Sequence, residues 1–262
     1  MVDVTASIAL GAAEVGRTGT WGLGFHAHGE MLVRKGPLRG ILPGAIVKHL
    51  RDVRARHVVL CAEARGESRK LEDTSPLRYR DWLFAATGAD SLGPGFAARV
   101  QASLPTYAFS HKLHPTAEEA VMMVAMGALE RANARDTRDL TTRATQRAIG
   151  AACAELRRLA DEGAQVKLLV TLHVPGHLFV FALGRPIWLA RFRGAGEAAR
   201  HGRLPRHEHL RAMVIGDRTA EPQAVVDPTH RERPPEVVAW ERLPDGLAAE
   251  IDASCNLVQF PV

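Results

Sequence analysis

Aromatic residues make up only 5% of this 262-residue chain, and only three cysteines are present. A core short of rings must be built from Ala, Val, Leu and Ile, and few rings are left over for stacking on bases. Cys61, Cys153 and Cys255 are odd in number, widely spaced and without a CxxC pair, which excludes a disulfide framework and a zinc ribbon. The pattern fits a reducing, cytoplasmic compartment. No apolar run approaches the ~18 to 20 residues a membrane span requires, and the first residues lack the basic lead of a secretory signal. Lysine is also scarce. It supplies five of the 34 basic residues, so the net charge of +5 is carried by arginine. Such a balance favours polyanionic partners, although an Arg-, Ala- and Gly-rich chain is equally what a GC-rich genome produces.

What is present is a chain that is 46% hydrophobic and long enough for its own core. The most strongly patterned stretch runs from Thr116 to Glu162. Thr116 and Glu119 have capping-box spacing, and Val121, Met122, Ala125, Leu129 and Ala132 recur at helical intervals. A second helix carries Ala144, Ala148, Ala152, Leu156 and Leu159 and stops at Gly163. Arg131, Arg135 and Arg138 share one face, and Arg143 shares another with Arg147. Guanidinium groups one turn apart suit phosphates, and a solvated helix face explains them as well.

Strands are expected at 4–10, 57–64, 165–174, 178–183, 186–193, 210–215, 237–243 and 256–262. The glycine-rich passage around Gly16, Gly19, Gly22, Gly24 and Gly29 reads as a hairpin rather than a phosphate loop, since it matches no GxxxxGK[ST] pattern. Residues 45–54 read as a helix displaying Lys48, Arg51 and Arg54, residues 66–76 as a polar linker, and 77–114 as short helices. This order predicts an α+β protein: a ferredoxin-like N-terminal half over 1–66, a helical insertion over 67–163, and a β-rich ferredoxin-like half over 164–262.

Among possible chemistries, a metal site on His26 and His28 lacks the further ligands zinc needs, and no nucleophile elbow or cysteine motif is present. No metal or other cofactor is therefore expected. Metal-free RNA cleavage by the neighbouring 2′-hydroxyl requires an acid, a base and a cation at the phosphate. His26, Arg39 and Arg242 are the candidate catalytic residues. Arg34, Lys35, Lys48, Arg51, Arg131, Arg135, Arg138, Arg143 and Arg147 are the candidate RNA contacts.

The segment GILPGAIVKHLRDV, with Pro43, Gly44, Lys48 and Arg51, resembles the PGxxxKGxLR segment of the CRISPR-associated RAMP superfamily, with His49 in place of the glycine. Two sheet halves around a basic helical block are similar in plan to the type IV crRNA-processing endoribonuclease. That resemblance implies ferredoxin-like (RRM/RAMP-type) domains, cleavage of repeat RNA and retention of the crRNA. It also implies the partners of antiviral defense, namely RNA and other CRISPR effector subunits, with no membrane. The alternatives are a non-catalytic guide-RNA subunit, and a small-molecule enzyme with a His-lined metal or anion site.

Overall fold

The computed structural model describes residues 7–8, 18–27, 30–39, 58–64, 71–79, 81–104, 116–132, 142–172, 177–184, 187–193, 211–216, 237–252, 254 and 256–262. The strands are β1 Ser7–Ile8, β2 Thr18–Ala27, β3 Glu30–Arg39, β4 Val58–Ala64, β5 Leu77–Tyr79, β6 Trp82–Thr87, β7 Val166–Leu172, β8 Leu178–Leu183, β9 Ile187–Arg193, β10 Arg211–Gly216, β11 Val237–Leu243, β12 Leu247–Ile251 and β13 Leu257–Pro261. Helices α1 Phe96–Ser103, α2 Ala117–Arg131 and α3 Thr142–Leu159 lie between β6 and β7 in the chain.

Among the described residues three sheets form: β1-β4-β2-β3, β10-β9-β11, and a six-stranded sheet in the order β13-β12-β8-β7-β6-β5. Strand β8, LFVFAL, is buried at every position, so it has no polar alternation. Its Phe179, Phe181 and Leu183 join Trp82, Phe84 and Ala86 of β6 under the three helices. From its other face, Leu178, Val180 and Ala182 meet Val59 and Cys61 of β4, Ile187 and Leu189 of β9, and Leu243 of β11. The large sheet is thus covered by helices on one face and by the two smaller sheets on the other. Two-sided burial explains its continuous apolar strands, because each successive side chain enters a different core.

Helices α2 and α3 form where the sequence predicts them, and the helix expected over 45–54 lies outside the described residues. The Thr116 hydroxyl accepts from the Glu119 amide at 3.2 Å, and the Glu119 carboxylate accepts from the Thr116 amide at 2.7 Å, closing the capping box. Val121, Ala125 and Leu129 of α2 are buried, as are Ala148, Ala152, Leu156 and Leu159 of α3.

The ferredoxin-like expectation, with its large helical insertion, is overturned. Residues 77–79 and 82–87 are strands, and β6 pairs antiparallel with β7 from beyond the helices. The helices therefore cover a sheet to which both flanking segments contribute. Periodicity misleads here because Trp82 to Ala86 are all buried, and a short continuous apolar run carries no period to read. The glycine-rich passage does form a hairpin, β2 with β3.

Candidate functional site between the sheets

Directly opposed residues in a sheet share a face. Gly22 stands opposite Lys35 on β3 and Cys61 on β4, and Gly24 opposite Val33 and Val59. Since Val59 and Cys61 pack toward the large sheet, Thr20, Gly22 and Gly24 look into the same inter-sheet layer. Ser75 and Pro76, just ahead of β5, pack against these glycines. A 3-10 turn over Leu71–Asp73 leads into Thr74, Ser75 and a cis Ser75–Pro76 peptide. A Cβ on Gly22 would sit 2.1 Å from the Ser75 carbonyl oxygen, and one on Gly24 would sit 2.8 Å from the Pro76 ring. Only glycine lets the two backbones meet this closely. Lys35 Nζ donates to the Glu72 carbonyl at 2.8 Å and ties the segment to β3.

This layer holds polar groups with unmet hydrogen-bonding capacity. The hydroxyls of Thr20, Thr74 and Ser75 are buried and without a hydrogen-bond partner among the described residues. Thr74 and Ser75 are 0% and 1% exposed. Each hydroxyl brings one donor and two acceptor lone pairs, and leaving it unsatisfied costs about 1–3 kcal/mol. Each of them can therefore both donate and accept.

Cys61 borders the same layer at 1% exposure. Cys153 lies in the other core, beneath the helices, where burial pushes its thiol far above the usual range and the nearby Arg157 only partly opposes the shift. A thiol acts as a nucleophile through its accessible thiolate, so neither group is poised for attack in place. Cys255 lies outside the described residues.

A second polar cluster sits on the helix side of the large sheet. His177 Nδ1 contacts Glu250 Oε1, and Gln146 of α3 donates to Glu250 Oε2 at 2.5 Å. Asp252 caps the turn between β12 and β13 by accepting from Ser254 N, Asn256 N and Asn256 Nδ2, each at 2.8 Å.

The residues expected to carry RNA chemistry are dispersed. His26 pairs with Met31 and Arg39 with Thr18, at opposite ends of one hairpin. Eight residues of strand separate those pairs by roughly 26 Å. Arg242 is exposed on β11 opposite Trp188, in a different sheet. Arg34 lies 5.7 Å from the Phe25 ring centroid, and Lys35 is held by Glu72. Arg131, Arg143 and Arg147 are exposed on the helices. Lys48, Arg51, Arg135, Arg138 and His28 lie outside the described residues. Among those described, no three His, Cys, Asp or Glu side chains converge as a metal cluster. Thr74 and Ser75 escape sequence reasoning because hydroxyls in a polar stretch look like linker, and Thr20 because it stands among the glycines of the hairpin. The alternation of Gly22 and Gly24 within a strand is the one signal of close backbone approach.

No family model and no curated protein matches the chain. Solved structures do. A glutamine aminotransferase class-II domain protein from Silicibacter pomeroyi is similar at a TM-score of 0.50 and 13% identity, over 92% of this chain and 90% of that one. The glutamine phosphoribosylpyrophosphate amidotransferase of B. subtilis is similar at 0.53 and 14%, over 94% of this chain and 43% of that one. The chain therefore shares the fold of these two structures.

This finding overturns the RAMP resemblance and what it implied: CRISPR repeat RNA as partner, other effector subunits, and endoribonuclease chemistry for crRNA processing in antiviral defense. The resemblance rested on a dozen residues, and a Pro-Gly turn ahead of a basic amphipathic segment recurs in unrelated folds.

Proposed function

We propose that this chain is an amidotransferase-type enzyme that works on a primary carboxamide, in the first instance the side chain of glutamine. Water and the amide would give a carboxylate and ammonia, or the nitrogen would pass to an acceptor. The observation that carries this reading is the end-to-end likeness to the Silicibacter pomeroyi class-II domain, 92% of one chain on 90% of the other. The unpartnered hydroxyls of Thr20, Thr74 and Ser75 support it, as donors and acceptors suited to a neutral amide. The chain spans less than half of the B. subtilis enzyme, so nothing is carried over concerning phosphoribosylpyrophosphate.

A second reading, amide binding without cleavage, is favoured by the burial of Cys61 and Cys153. Ammonia release from glutamine, followed with a coupled glutamate dehydrogenase assay, tests both together with the thermal shift in glutamine. Under the first reading ammonia is released, and Ser75→Ala lowers the rate. A raised melting temperature without ammonia selects the second. Neither response from the folded protein removes both. We assign the protein to the cytoplasm, on the two described cysteines, which stand outside any disulfide. No described helix is long and apolar enough to cross a membrane.

A further inference from the structure

The arginines of α3 are not absorbed by the amide-processing reading. Arg143, Arg147, Ala151, Ala154 and Arg158 are all exposed. At 3.6 residues per turn they fall within about 80° of the helix surface. Opposite them, Ala148, Ala152, Leu156 and Leu159 are buried against the sheet. From Arg147 onward the stripe advances by four, three and four residues, the spacing with which one helix packs along another.

Three other arginines of the helical layer are engaged. Arg99 pairs with Asp161 at 2.6 Å, Arg158 with Glu155 at 2.7 Å, and Arg157 donates to the Val262 carbonyl at 3.2 Å. Arg143 and Arg147 make no hydrogen bond or ion pair in the described structure. They also stand in the N-terminal half of α3, which has no acidic residue in its first turn. The helix dipole favours negative charge in the first turn, so Arg143 there adds to a positive end instead of offsetting it. An arriving carboxylate is drawn by both.

We propose that this face of α3 docks an acidic amphipathic helix of a partner protein. Two carboxylates one turn apart on the partner meet Arg143 and Arg147. Its small apolar side chains lie over Ala151 and Ala154, whose short side chains let the helix axes come close. An amphipathic helix fits better than a phosphate chain, because the middle of the stripe is methyl groups and Glu155 borders its far end.

The test uses the full chain and a fluorescein-labelled helical peptide with two glutamates one turn apart ahead of a Leu/Ala stripe. Fluorescence anisotropy should report saturable binding that weakens with salt. R143E/R147E should weaken it about tenfold or more, the scale of losing close interfacial charge pairs. The same variant should bind a peptide whose glutamates are replaced by lysines. Ala154→Trp should abolish binding by blocking close approach. Circular dichroism and ammonia release should be unchanged in both variants, which separates this proposal from the reading of the inter-sheet site. Equal affinity for a Glu→Gln peptide, or unaltered binding by R143E/R147E, overturns the proposal. So does tighter binding of a labelled single-stranded RNA lost in the same variant.

Discussion

At Gly22 a methyl group would lie 2.1 Å from the backbone oxygen of Ser75, a contact that only a shift of β2 or of residues 74–76 can relieve. At Gly163 the backbone is left-handed, with φ of 80°, yet nothing lies within 4 Å of a Cβ. The two glycines are needed for different reasons, and their costs should differ. Gly163→Ala carries only local strain, about 1–2 kcal/mol. Gly22→Ala carries an overpacked backbone contact and should cost about 3 kcal/mol or more. Urea unfolding of both variants checks the order; a Gly22→Ala no less stable than Gly163→Ala would remove residues 74–76 from β2. Of the candidate site, the glycine alternation was readable from sequence, whereas the hydroxyls were not. A Thr or Ser states its chemistry only once its surroundings have excluded water.

Among the elements, those with a strong period or a cap were legible. Helix α2 begins at its capping box, and β8 and β11 occupy the expected 178–183 and 237–243. Strands β5 and β6 were not, since buried strands and buried helix segments look alike over a few residues. Strand β12 was missed although Pro244, Asp245 and Gly246 form a turn signal just before it.

The β12–β13 turn yields a pH prediction. Burial would raise the Asp252 carboxyl, but the side-chain and backbone amides of Asn256 and the backbone amide of Ser254 outweigh it. With the nearby His177 they hold it below the usual carboxylate range. A carboxyl lowered in the folded state contributes stability above its unfolded pKa and loses it as pH falls through the folded value. Urea unfolding should therefore show Asp252→Ala less stable than the parent at neutral pH, with the gap narrowing below pH 4. A gap independent of pH would assign the loss to geometry alone.

For the whole molecule, strand order was the illegible part. Which strands become neighbours depends on long-range pairing, and no local pattern announced that β6 would sit beside β7. The two described cysteines report on that assembly from different layers, Cys61 between the sheets and Cys153 under the helices. If the three layers unfold as one, both thiols should stay unreactive to DTNB in buffer and become reactive at the same urea concentration. Peptide mass spectrometry distinguishes them. Cys153 labelled at lower urea would show the helical layer leaving first.

The placement of β6 also bears on biosynthesis. Its neighbour β7 emerges from the ribosome only after all three helices. Until then the greasy WLFAAT ribbon has one flank open, and a nascent chain halted within the helices would offer that flank to any passing strand.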